Sequence, residues 1–179
     1  NQNFDVKINA VVMEGQNTDD LNPLAELTRE HPLAMRFIEE MPFNGEGSHY
    51  PVLHWNHRRI LEQLRGFYPD LQKRPDPDFS TATTYQVPGY QGNLGIIAAF
   101  SRTFCGTCNR IRLTAQGELK TCLYQSGGLQ IRDRMREGLS DEALADLFLT
   151  AFQTRPRDGF EAERLRPDAV HGSMTTIGG

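Results

Sequence analysis

The stretch Ser101–Gln125, SRTFCGTCNRIRLTAQGELKTCLYQ, constrains this chain most, because it holds all three cysteines, Cys105, Cys108 and Cys122, spaced C-x2-C-x13-C. Arg110 and Arg112 lie between them and Arg102 just upstream. From Arg110 to Ala115 the chain alternates, Arg110, Arg112 and Thr114 against Ile111 and Leu113, the pattern of a half-buried strand. Ala115-Gln116-Gly117 fits a three-residue hairpin loop with glycine in the left-handed position. Thr114 then faces Glu118, and the same register sets Cys122 opposite Arg110, on one face with Arg112. Cys108 falls near the hairpin's entry. Three thiolates suit zinc or an iron–sulfur cluster. A structural zinc site takes four ligands, usually from a second C-x2-C or a histidine pair. No second C-x2-C occurs, and His171 is the sole histidine downstream of the hairpin. A cluster held by three cysteines leaves one iron open, and guanidinium forks beside it match phosphate geometry. Two readings compete: buried cysteines without a ligand, and a thiol redox pair of Cys105 and Cys108. The redox motif opens a helix, whereas here it is expected to open a strand.

The rest of the chain reads as one domain, or as one domain with part of another. The hydrophobic share of 38% and charged share of 23% are those of a globular protein, and the net charge of −4 argues against a broad nucleic-acid surface. No apolar run reaches a membrane span and no signal-peptide pattern opens the sequence. An odd cysteine count in a C-x2-C pattern favours a reducing cytoplasm. Phe4–Met13 is expected as a strand with Val6, Ile8, Ala10 and Val12 on one face and Lys7 and Asn9 on the other. It is either an exposed edge strand or a barrel strand whose polar face looks onto a site. A helix starting between Thr18 and Asn22 buries Leu24, Leu27 and Thr28 and stops at His31-Pro32. Leu33–Met41 is the next strand, completing a parallel strand–helix–strand unit. Asn44–Ser48 is a loop and a domain boundary. A helix from about Trp55 to Tyr68 buries Ile60, Leu61, Leu64 and Phe67, with His54 and His57 as surface residues at its start. Residues 72–80 form an irregular connection. Strands at Thr83–Val87 and Asn93–Phe100 are expected to join the cysteine hairpin in one small antiparallel sheet. A short helix over Ile131–Glu137 precedes one capped by Ser140, Asp141–Gln153, burying Leu144, Leu147, Phe148, Ala151 and Phe152. From Thr154 an irregular tail is expected.

The segment FCGTCNRIRLTAQGELKTCL resembles the second-cluster motif of the GTP 3',8-cyclase family, the radical S-adenosylmethionine enzymes also called molybdenum cofactor biosynthesis protein A. VKINAVVMEGQN, MRFIEEMPF and the terminal Gly178-Gly179 resemble other segments of that family, in the same order. The resemblance implies an α/β fold: residues 1–44 as the last strand–helix–strand part of an incomplete radical-SAM (β/α) barrel, then residues 45–179 as an α+β iron–sulfur and GTP-binding domain with a small antiparallel sheet. It implies a lyase of molybdenum cofactor (molybdopterin) biosynthesis that converts GTP to (8S)-3',8-cyclo-7,8-dihydroguanosine 5'-triphosphate. By the same resemblance Cys105, Cys108 and Cys122 hold a second [4Fe-4S] cluster with an open iron. Lys7, Arg110, Ile111 and Arg112 bind GTP, and Met41 and Asn9 touch S-adenosylmethionine. Gly178 and Gly179 enter the active site, although a ubiquitin-like tail would look the same. Expected partners are GTP, S-adenosylmethionine, the downstream cyclic pyranopterin monophosphate synthase and a second copy of the chain in a homodimer, with no nucleic acid and no membrane. The family's C-x3-C-x2-C motif for a first [4Fe-4S] cluster does not occur in these 179 residues, so this stretch alone is not expected to catalyse the full reaction. A zinc-stabilised binding module without chemistry is the alternative.

Overall fold

The structure, a computed structural model, describes residues 4–41 and 53–165. They fall into two compact units, one of residues up to Met41 together with those through Phe104, the other beginning at Cys105. The boundary expected at Asn44–Ser48, like Gly178 and Gly179, lies outside the described residues.

In the first unit, β1 (Lys7–Val12), α1 (Leu21–Glu30) and β2 (Ala34–Glu39) form the expected parallel strand–helix–strand, Lys7 pairing with Ala34 and Val12 with Glu39. A single 3-10 turn, Thr18–Asp20, leads into α1. The helix turns Leu21, Ala25 and Thr28 onto the sheet, while Leu27 is 39% exposed. Thr28 is buried and Leu24 packs against the core as expected; Leu27 is the correction, because with Leu21 first in the helix the i, i+4, i+7 row runs Leu21, Ala25, Thr28. Beyond β2 come α2 (His57–Phe67), β3 (Gln72–Lys73), β4 (Ala82–Gln86) and β5 (Asn93–Ile97). Asn56 caps α2, its side chain accepting from the Arg58 and Arg59 amides at 3.0 Å. Ile60 and Leu64 are buried under this helix, but Phe67 lies 42% exposed at its end, outside the expected stripe. β3 lies where an irregular connection was expected.

The five strands run in the order β1-β2-β5-β4-β3. β1, β2 and β5 are parallel; β4 returns antiparallel to β5, and β3 to β4. This corrects the expectation that β4 and β5 join the cysteine hairpin. The inner strand β5 carries Leu94 and Ile96 into the same core as Met35 and Phe37 of β2, which no hairpin would cover. Val12, Ile60 and Leu64 complete that core. Gly92, at the entry to β5, donates its amide to the Thr28 carbonyl at 2.8 Å. A Cβ there would stand 2.2 Å from the Leu33 carbonyl oxygen and 2.7 Å from that of His31. Gly92→Ala is expected to lower stability by about 2–3 kcal/mol, since backbone rather than a flexible side chain must yield. A urea midpoint equal to the parent's would contradict that packing.

The second unit opens with a 3-10 turn, Cys105–Thr107, followed by an antiparallel sheet β6-β7-β8 of Arg112–Leu113, Glu118–Lys120 and Leu129–Gln130. Three helices follow: α3 (Ile131–Arg136), α4 (Asp141–Gln153) and α5 (Gly159–Arg164). Ser140 caps α4 as expected, accepting from the Ala143 amide at 3.3 Å. No residue of α4 is fully buried, and Phe152 is 40% exposed, so the expected stripe is a half-covered one. α5 replaces part of the irregular tail, because Asp158 accepts from the Glu161 amide at 2.8 Å and supplies an N-cap. The architecture is therefore mixed α/β, with one mixed sheet and one small antiparallel sheet. Among the described residues no helix is long and apolar enough to cross a membrane.

Candidate functional site

The cysteine hairpin closes in the expected register. Arg112 pairs with Lys120 and Leu113 with Leu119. The Thr114 amide donates to the Glu118 carbonyl at 2.9 Å, and Gly117 takes φ +81°. The ladder ends at Arg112–Lys120, so Arg110 and Cys122 flank it rather than pair within it. The C-x2-C motif departs from expectation. It forms a 3-10 turn, with the Cys108 amide donating to the Cys105 carbonyl at 3.2 Å, instead of opening a strand. Glycine and threonine between the cysteines favour that tight turn over extension. The turn projects both thiols from one short arc, and no α-helix follows it.

Cys105, Cys108 and Cys122 are free, partly buried thiols. Arg110 donates from Nη2 to Cys108 Sγ at 3.2 Å. Burial alone would raise the Cys108 thiol, but the Arg110 amide, charge and side chain, with a further bond from Arg155, outweigh it and hold that thiol below its ordinary range. Burial raises Cys122, and the charges of Cys105 and Cys108 add to the rise, against the Tyr124 amide and Arg155. Burial lowers Arg112, helped by Arg110 and opposed by Cys108 and Cys122. These mutual effects make the three sulfurs and three guanidiniums one electrostatic group.

Arg155 was not legible as part of this group. It sits in the turn after α4, where Thr154 Oγ1 donates to the Thr150 carbonyl at 2.8 Å and the buried Pro156 holds the next residue. Nothing in the spacing TRPRD marks it as a partner of Cys108.

Among the described residues no three His, Cys, Asp or Glu side chains are placed to hold a single metal ion. A mononuclear zinc site needs its donors about 2.0–2.3 Å from one point. An iron–sulfur cluster carries its irons on a wider frame and takes thiolates. Three thiols, one of them bonded by Arg110 and Arg155, are the donor type that such a cluster takes.

In the first unit, Lys7 and Asn9 are exposed on the face of β1 away from the core, Asn9 beside Arg36 in the register. Lys7 pairs with Asp5. Met41 is half-buried just beyond β2. Ile111 is 41% exposed.

A second constellation was missed altogether. Glu39, at the end of β2, is fully buried. It accepts from the His57 amide at 2.6 Å, the Ser101 amide at 2.7 Å and Ser101 Oγ at 2.7 Å, and meets His57 Nδ1 at 2.9 Å. It ties three distant segments together.

A family model described as Molybdenum Cofactor Synthesis C matches residues 33–160. Molybdenum cofactor biosynthesis protein 1 of Mus musculus is 41% identical over 152 residues, covering 85% of this chain and 24% of its own length. GTP 3',8-cyclase of Chlorobaculum tepidum is 32% identical over 174 residues, 97% of this chain and 52% of its own length. That of Syntrophomonas wolfei is 36% identical over 157 residues, 84% of this chain and 46% of its own length. The chain thus spans about a quarter of the animal relative and about half of the bacterial ones.

Proposed function

This chain belongs to the Molybdenum Cofactor Synthesis C family, and on that footing we propose that it is the substrate-holding part of a radical S-adenosylmethionine GTP 3',8-cyclase. The intact enzyme converts GTP to (8S)-3',8-cyclo-7,8-dihydroguanosine 5'-triphosphate on the way to molybdenum cofactor. The observation that carries the reading is the group of three thiols around which Arg110, Arg112 and Arg155 gather. In this reading Cys105, Cys108 and Cys122 hold a [4Fe-4S] cluster, which supplies an open iron as a Lewis-acidic contact for the guanine. The strand–helix–strand of β1, α1 and β2 is the last part of a radical-SAM barrel in this reading. Residues holding a first cluster, which reductively cleaves S-adenosylmethionine, lie outside these 179.

The chain's own residues bind and orient. Arg110 and Arg112 fork onto the nucleotide from one edge of the hairpin, beside Ile111, and Lys7 meets the phosphates from the polar face of β1. A guanidinium already held against a thiol, as that of Arg110 is, needs little reorganisation to receive a polyanion. Asn9 and Met41 stand at the two strands that would face S-adenosylmethionine. Holding both substrates against each other converts an encounter into a local step.

Arg110→Ala in the intact protein is expected to weaken GTP binding about ten- to a hundredfold, the worth of one or two charge-assisted hydrogen bonds. Iron and sulfide content should be unchanged after anaerobic reconstitution. Calorimetry showing parental GTP affinity would remove Arg110 from the nucleotide site.

A further inference from the structure

The buried carboxylate Glu39 and the ring it holds belong to no part of the reading above. Both Glu39 and Ser101 engage the Nδ1 side of His57, at 2.9 and 3.2 Å. The ring is thereby fixed in orientation, as carboxylate-held histidines are when their other nitrogen serves a ligand. Its Nε2 has no protein partner among the described residues, and the side chain is 30% exposed.

His57 lines a groove of about 440 Å³ that runs along α2 within the first unit. That size suits a small organic molecule. The floor is apolar, made by Leu61, Ile96 and Ala98. Arg58 and Arg65 line the same groove from α2, two turns apart, about 10 Å along the axis. Other arginines of this unit are engaged: Arg59 stacks on Trp55 at 4.5 Å and Arg29 pairs with Glu26 at 2.6 Å. Arg58 and Arg65 form no ion pair among the described residues. Glu62 is the acidic group of the lining, and it pairs with neither arginine although it stands four residues from one and three from the other. Thr83 and Thr103 bring hydroxyl groups to the same space.

We propose that this groove is a second ligand site, for a small organic phosphate whose apolar body rests on Leu61, Ile96 and Ala98 and whose phosphate meets Arg58, Arg65 and His57. Two guanidiniums and an oriented imidazole match a dianion with several acceptor oxygens. The apolar floor asks for an ester group, which inorganic phosphate lacks. None of the cysteine-site residues takes part, so the proposal stands or falls apart from the cyclase reading.

The test is a titration of the chain with phenyl phosphate, followed through the imidazole resonances of His57. Saturable shifts are expected, with phenol and inorganic phosphate each binding at least about tenfold more weakly. The double variant Arg58→Ala/Arg65→Ala, altered only at exposed positions, should bind phenyl phosphate at least about tenfold more weakly with an unchanged urea midpoint. His57→Phe should weaken binding in the same direction. Absence of saturation, parental affinity in the double variant, or equal affinity for inorganic phosphate would overturn the site.

Discussion

Cys122→Ser, made in the intact protein, should leave a chain that takes up one cluster fewer. The iron of a sulfide cluster prefers a soft thiolate. A serine hydroxyl is a hard oxygen that stays protonated at neutral pH. Cys105 and Cys108 project from a single 3-10 turn, whereas Cys122 follows the returning strand of the hairpin. Its loss therefore removes one whole side of the ligand set. No fourth cysteine stands within these 179 residues to take its place. The measurement is iron and acid-labile sulfide per chain after anaerobic reconstitution, beside Arg110→Ala as the variant expected to keep its cluster. Full parental iron in Cys122→Ser would refute the three-thiolate centre. Loss of iron in both variants would instead point to a hairpin that no longer folds.

Glu39→Ala should destabilise the first unit by about 3–5 kcal/mol, the scale of losing one member of a buried charged network. Two backbone amides, His57 and Ser101, and the Ser101 hydroxyl lose an acceptor at 2.6–2.7 Å. Glu39 itself is fully buried, so its removal leaves those donors facing a site built around its carboxylate. Glu39→Gln keeps the shape but turns part of its acceptor surface into a donor, so an intermediate loss is expected. Urea unfolding read by the fluorescence of Trp55, the single tryptophan and a member of that core, reports on this unit. A midpoint within error of the parent's in Glu39→Ala would show that the carboxylate holds nothing.

What could be seen in the residues alone was local. Alternation in Lys7–Val12, the stop at His31-Pro32 and the cap Ser140 act over a few residues, and the elements they announce are present. Gly117 set the hairpin register for the same reason. The partners of β1 and of the hairpin strands were legible, because short connections fix them; the neighbour of β5 was not. Periodicity tells which face is buried but not which strand lies alongside, so β5 was assigned to the hairpin although it pairs with β2. Glu39 looked like a charged residue in a strand because its partners lie 18 and 62 positions away. Arg155 escaped for the same reason, being joined to Cys108 only through the turn that ends α4. In the cysteine motif itself the residue types were legible and the backbone was not: extension was expected where a 3-10 turn forms.

The turn at Gly117 does more than reverse the chain. Its carbonyl accepts from the amides of Ile131 and Arg132 at 2.9 and 3.1 Å, and an added Cβ would stand 2.2 Å from that of Arg132. The hairpin tip is thereby pinned to the start of α3 and cannot absorb an inserted residue by bulging outward. A one-residue insertion between Arg112 and Cys122 would reverse the inward and outward order of one strand. The thirteen residues between the second and third cysteines thus act as a ruler. Length there is under tighter restraint than residue identity, and evolutionary drift should show as exchanges, seldom as gaps.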